Sequence, residues 1–215
     1  DFFIGLSAGF SGPKEQENRA YQYGVEAYLN KVNSDGGVKG EKILLEVLDD
    51  GFQQATAANN VQRLVTRKDV IAVLGGSTTT TVLSMQKAAQ EYDTLFMAPL
   101  IGSPEMYDNR EYVLNVRPSL NVEARFLAEQ MRRGDVAGEQ IALIGEIGSG
   151  ELEVASKVFR EQFGANSVIE LSYPENTLSV SGVVSRLSKS GRSNVVLTGG
   201  FAATAQIIAA TTAQD

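Results

Sequence analysis

Short apolar runs recur along the chain at 2–8, 43–48, 70–74, 94–98, 112–116, 140–145, 167–172 and 194–198. Each is bounded by turn residues, the pattern expected of strands buried on both faces of a parallel sheet. Between them the apolar spacing becomes helical. In 17–33, Tyr21, Val25, Tyr28 and Val32 fall on one face; in 123–133, Ala124, Leu127, Ala128 and Met131 do; in 179–188, Val180, Val183, Val184 and Leu187 do. Repeated strand–helix units predict an α/β protein whose parallel sheets are covered by helices.

The rhythm breaks at 99–121. After strand 94–98 comes APLIGSPEMYDNRE, a polar segment without helical period, then the strand YVLNV, then Arg117-Pro118-Ser119 and a new helix. A lobe boundary is therefore expected near Pro118–Asn121, with five strands in a first lobe (1–118) and three in a second (119–215). No repeat of solenoid length is visible.

Composition then removes whole classes of chemistry. Nineteen basic residues against twenty-six acidic ones give a net charge of -7, and no basic run exists. Arg132-Arg133 and Arg67-Lys68 are isolated pairs at predicted helix ends, where cations complement the macrodipole. A nucleic-acid partner is not expected, because phosphate neutralisation needs clustered Lys and Arg. The chain has no Cys and no His. That excludes disulfides, thiolate zinc sites, cysteine nucleophiles and any Ser-His-Asp triad within it. No apolar run approaches the roughly 20 residues of a membrane span. The sequence opens directly on strand residues Asp1-Phe2-Phe3-Ile4, as a mature or trimmed chain would.

Four segments remain with chemical content. Ser77-Thr78-Thr79-Thr80-Thr81 follows the strand IAVLGG and precedes a helix through Val82, Met85 and Ala89. Gly75 and Gly76 permit a tight turn, and the hydroxyl residues bring caps and free N–H groups to a helix start, a setting suited to a carboxylate. Simple capping is the alternative, although one Ser would suffice for that. Leu100-Ile101-Gly102-Ser103-Pro104-Glu105 lies beyond another strand's carboxyl end, the edge where open α/β sheets bind ligands. A plain connecting loop competes with that reading. Gly145-Glu146-Ile147-Gly148-Ser149-Gly150 is a glycine-rich turn before a helix, but it has neither G-x-G-x-x-G spacing nor a Walker lysine. Thr198-Gly199-Gly200-Phe201 ends a strand and opens the last helix, leaving Phe201 as either a core residue or an apolar cover. Asp49-Asp50 lacks the further oxygen ligands of a Ca²⁺ or Mg²⁺ site and is expected to form a turn and cap the helix before Gln53. No cofactor or metal is expected.

Taken in order, AGFSGP (Ala8–Pro13), GGVKG through Asp49-Asp50, LGGSTTTT, MAP with SPE, VRP and NVVLTGG-F form one pattern. It resembles the type I periplasmic binding proteins of ABC transporters, in the branched-chain amino acid (Leu/Ile/Val) subfamily. The resemblance covers essentially all 215 residues. It implies two Rossmann-like lobes, a small-molecule ligand held between them, ABC transporter membrane subunits as partners, a monomer, and a periplasmic or extracellular location. It implies that Ser77 and Thr78 hold the ligand's carboxylate and that Ile101, Gly102 and Ser103 line the pocket. Phe201 would close from the second lobe, with Glu146 and Gly148 beside it and Glu17 at the mouth. Two positions depart from the family: Gly102 stands where a Thr is usual, and the 146–150 loop has glycine where a tyrosine is usual. Ser103 offers a neighbouring hydroxyl for the first. Family members also continue well past the equivalent of Asp215, so the second lobe and hinge are expected to be incomplete. The acid that pairs with an amino-acid ammonium would lie in that later segment, and the second sheet would be left with an unpaired apolar edge. A ligand-sensing domain of a receptor or regulator would share the pocket, and a nucleotide enzyme using Gly148–Gly150 stays open as a third class.

Overall fold

The computed structural model describes residues 1–12, 15–67, 69–108, 111–136, 140–174, 177 and 179–212. Pro13 of the SGP segment and Lys68 of the Arg67-Lys68 pair lie outside them. The chain divides into two compact units, Asp1–Pro118 and Ser119–Asp215.

The first unit runs β1 (Phe2–Ala8), α1 (Glu15–Ser34), β2 (Ile43–Asp49), α2 (Gln54–Val65), β3 (Val70–Gly75), α3 (Thr79–Glu91), β4 (Phe96–Met97), α4 (Glu105–Asp108) and β5 (Val113–Leu114). Its sheet is wholly parallel in the order β2-β1-β3-β4-β5. One face is covered by α2 and α3, whose Val61, Leu64, Val82 and Met85 pack on Val73 and Phe96, all fully buried. Residues of α1 pack on the cluster of Leu6, Ala8, Phe10 and Leu74. Each such aliphatic side chain contributes roughly 1.5–3 kcal/mol on burial.

The second unit runs α5 (Leu120–Arg133), β6 (Ile141–Glu146), α6 (Gly150–Phe163), β7 (Val168–Tyr173), α7 (Ser181–Ser190), β8 (Asn194–Leu197) and α8 (Phe201–Thr212). Its sheet is parallel in the order β7-β6-β8. Strand β6 alternates between two cores: Ile141 and Leu143 join Ala128, Val158 and Phe159, whereas Ala142 and Ile144 join Val183, Leu187 and Ile207. That two-sided burial explains why β6 reads as an unbroken apolar run.

The eight strands among the described residues fall on the expected runs, and the α/β class holds. Three local expectations are corrected. Tyr28 is 68% exposed, because the buried stripe of α1 runs through Asn18, Tyr21, Val25 and Leu29, one position on from Tyr28. Leu127 is likewise 42% exposed, the inward positions of α5 being Leu120, Ala124 and Ala128. The segment after β4 holds a one-turn helix, α4, started by Met106 N–H donating to the Ser103 carbonyl at 3.1 Å. No helix among the described residues is long and apolar enough to cross a membrane.

Candidate functional site

Parallel strands bring their carboxyl ends to one edge, and in the first unit the candidate residues lie on the loops leaving that edge or, for Glu17, on the first turn of the helix that follows. Gly75 and Gly76 end β3 at φ +117° and +70°, conformations that L side chains rarely adopt. They turn the chain so that Ser77 and Thr78 stand at the start of α3. Thr78 is the N-cap, its hydroxyl accepting from Thr81 N–H at 3.2 Å while Thr81 Oγ1 accepts from Thr78 N–H at 3.0 Å. This capping box uses the Thr78 side chain for the helix itself. Among the described residues, the N–H groups of Thr79 and Thr80 have no protein acceptor, as first-turn amides do not. The Thr79 hydroxyl is buried without a partner.

The neighbouring loop is stitched to this turn. Leu100 N–H donates to the carbonyls of Gly75 and Gly76 at 3.3 and 3.2 Å, and Arg117 Nη1 donates to the Leu100 carbonyl at 2.6 Å. Ile101 packs against the α2–α3 core, and Gly102 is buried. Ser103 is 1% exposed and its hydroxyl donates to the Glu105 carboxylate, so the group expected to face a ligand is engaged locally. The third loop, leaving β1, carries Glu17 exposed on the first turn of α1. Its neighbour Asn18 is the one turned inward: 3% exposed, it donates to the Gly9 carbonyl at 2.7 Å and to Ser77 Oγ at 3.2 Å.

Beneath these loops lies a polar network that sequence reasoning did not find. Ser7 donates to Asp50 Oδ2 at 3.0 Å and accepts from Asn60 Nδ2 at 3.1 Å; Asn60 also donates to the Asp49 carbonyl at 3.1 Å. Asp49 Oδ1 accepts from Phe10 N–H and Gly51 N–H, both at 2.8 Å. The acidic pair thus forms a turn as expected. Gln53, however, starts α2 without a side-chain cap, and the carboxylates serve to tie β2 to β1. Burial pushes the Asp50 carboxyl above the usual range; Phe52 N–H and the Ser7 hydroxyl pull it back only in part, and the Asp49 charge adds to the rise. Burial also acts on Asp49, but the amides of Phe10 and Gly51, the Ser11 hydroxyl and Arg19 together hold it below the usual range. Tyr21 reaches the Ala98 carbonyl at 3.5 Å, and burial pushes its phenol up to about 12. The signal for Asn18 was its place on the α1 stripe, since a buried polar side chain requires partners; for Ser7, Asp50 and Asn60 none was available without the pairing of β1 with β2.

The second unit has an edge of its own. Glu146 ends β6 and is buried; Gly148 follows at φ +74° with open space around it; Ser149 caps α6, accepting from Leu152 N–H at 3.2 Å. Beside it the β8 loop is held by Thr198 N–H donating to the Ile144 carbonyl at 2.9 Å. Phe201 opens α8 and is 76% exposed, which fits a surface role better than a core one. A shallow groove of about 720 Å³ between α7 and α8, lined by Ser181, Val184, Lys189 and Gln206, shares no residue with either edge. Among the described residues no group of three or more metal-ligating side chains occurs. The first edge thus presents hydrogen-bond donors, whereas the second carries an exposed phenyl ring and a buried carboxylate.

The sequence profile of the family described as "Periplasmic binding protein" matches residues 2–215. This chain belongs to the periplasmic binding protein family. Within it, the chain is similar to the Leu/Ile/Val-binding protein homolog 7 of Brucella abortus, 26% identical over 208 residues, covering 92% of this chain and 52% of that one. Among solved structures it resembles the branched-chain amino acid transporter substrate binding protein LivJ of Streptococcus pneumoniae in complex with isoleucine. The TM-score is 0.83 at 18% identity, covering 99% of this chain and 61% of that one. It also resembles a solute binding protein of an ABC transporter from Rhodopseudomonas palustris in complex with 3,4-dihydroxybenzoic acid. There the TM-score is 0.81 at 14% identity, covering 99% and 58%. These likenesses show the type I fold. The chain spans about half the length of the curated relatives it matches.

Proposed function

We propose that this periplasmic binding protein chain is part of an extracytoplasmic receptor that captures a small carboxylate solute and delivers it to the membrane subunits of an ABC importer. The observation that carries the reading is the Gly75–Thr80 turn, where Ser77 and the free amides of Thr79 and Thr80 stand together at a helix start. Such a set of donors complements an anion, and the helix dipole adds to it. The solute's carboxylate would rest there, with Ile101 and Gly102 alongside. Phe201, Glu146 and Gly148 would cover it from the second lobe when the two lobes close, a hinge-type population shift driven by contacts made only in the closed form. No bond is made or broken in this cycle. The protein would work as a monomer in the periplasm or outside the cell.

An aliphatic amino acid is the first ligand class, supported by the names of the curated relatives. An aromatic acid is the second, supported by the neighbour that holds 3,4-dihydroxybenzoic acid and by Gly102 standing where the subfamily has a Thr. A thermal-shift and calorimetric screen of the full-length protein with leucine, isoleucine, valine and 3,4-dihydroxybenzoate tests both. A ligand at 100 times its dissociation constant stabilises by about 2.7 kcal/mol, which raises the melting temperature by several degrees. Ser77→Ala should remove most of that shift. Absence of a shift with every carboxylate would overturn the proposal.

A further inference from the structure

Asn18 bonds to two neighbours at once, and one of them fixes which way its amide faces. The Gly9 carbonyl can only accept, so the atom 2.7 Å from it must be the amide nitrogen. The same nitrogen lies 3.2 Å from Ser77 Oγ, so its second hydrogen is donated to the serine hydroxyl. Ser77 is thereby made an acceptor toward the protein, and its own proton has no acceptor among the described residues. At 3% exposure Asn18 has little freedom to turn away. We propose that Asn18 is a positioning residue that sets Ser77 as a hydrogen-bond donor toward the bound solute, and so selects a carboxylate over the matching carboxamide. The inference rests on the reading of Ser77 as a ligand contact.

The physical reason is a matter of sign. A hydroxyl free to rotate can donate to a carboxylate or accept from an amide NH₂, and so discriminates poorly. One that already accepts from Asn18 turns its proton away from that N–H and toward the ligand, so donation is favoured over acceptance, while the amides of Thr79 and Thr80 can only donate. A carboxylate satisfies such a set with both oxygens, whereas a carboxamide turns one N–H against a donor. The mismatched donor is then buried without a partner, which is the costly case.

The test is the ratio of affinities for leucine and leucinamide, and for 3,4-dihydroxybenzoate and its amide, measured by calorimetry on the full-length protein. Wild type should favour the acid. Asn18→Leu, which is neutral and similar in volume, should lower that preference on the order of tenfold, about one hydrogen bond to a charged group. Asn60→Leu serves as the control: it loosens the same strand end without touching Ser77, and should weaken acid and amide alike. An unchanged ratio in Asn18→Leu, with both affinities falling together, would reduce Asn18 to a structural role and overturn the inference. No effect of Ser77→Ala on any acid would instead overturn the underlying site. Should Asn18→Leu fail to fold, NMR of the folded wild type and Ser77→Ala decides the geometry. In Ser77→Ala, one Asn18 side-chain amide proton should shift and lose protection while its Gly9-bound partner stays. If neither proton moves, the Asn18–Ser77 bond does not exist in solution.

Discussion

A Cβ placed on Gly75 would stand 1.8 Å from the carbonyl oxygen of Ser7. The carboxyl ends of β3 and β1 therefore meet backbone to backbone, and that carbonyl also accepts from Gly76 N–H at 2.9 Å. The Ser77–Thr78 turn is aimed by this approach. Gly75→Ala would add a clash with rigid backbone to a φ of +117°, and should cost about 2–4 kcal/mol. Urea denaturation measures it. A loss below 0.5 kcal/mol would mean that the strand ends separate easily and the turn is not held as described.

Asp49 and Asp50 should pull stability in opposite directions with pH. The folded carboxyl of Asp50 is raised by burial, so its favourable contribution is present in acid below the unfolded value and is lost as pH rises through the folded one. Asp49 is held low, so its contribution is present above the unfolded value and is lost as pH falls through the folded one. Between about pH 3 and pH 7, wild type should therefore lose stability relative to Asp50→Asn as pH rises, and gain it relative to Asp49→Asn. Parallel curves for either pair would remove that assignment.

Tyr21 gives a separate alkaline signal. Its phenol is raised to about 12, so its contribution is intact below the unfolded value near 10 and fades as pH climbs toward the folded one. Ultraviolet titration of wild type against Tyr21→Phe should assign a late phenolate to this residue. Ionisation of Tyr21 near 10 in the folded protein would show that its contact with Ala98 is open to water.

In the second unit, Gly199 lies where an added Cβ would come 1.7 Å from the Tyr173 hydroxyl. Tyr173 is 2% exposed and has little room to retreat. Gly199→Ala should destabilise by about 1–3 kcal/mol, and Tyr173→Phe in the same molecule should recover part of that loss. A double-mutant cycle measures the coupling, and strict additivity would place the strain elsewhere.

The strands were legible because compact apolar runs stand between turn residues, most clearly in β6, which is buried on both faces, and the helix through Val183, Val184 and Leu187 because three spaced aliphatic residues permit one inward face. Tyr28 misled because an aromatic ring at the right period reads as core, while the position one residue on, Leu29, carries the packing. The helix α4 escaped notice because a single turn started by Ser103 has no period to detect. At the candidate site, Ser77 stood out by composition, whereas Asn18 is defined by the distant atoms it joins, and such pairings follow from topology rather than from local sequence.

In both sheets the earliest of the described strands is an inner one: β1 lies between β2 and β3, and β6 between β7 and β8. Neither β1 nor β6 can be paired on both of these sides until two crossovers have been completed. Every pairing among these strands closes a long loop before any contact repays the entropy, the circumstance that slows folding most. Each half should thus collapse late and all together, with β1 and β6 protected from hydrogen exchange only once their third strand has arrived.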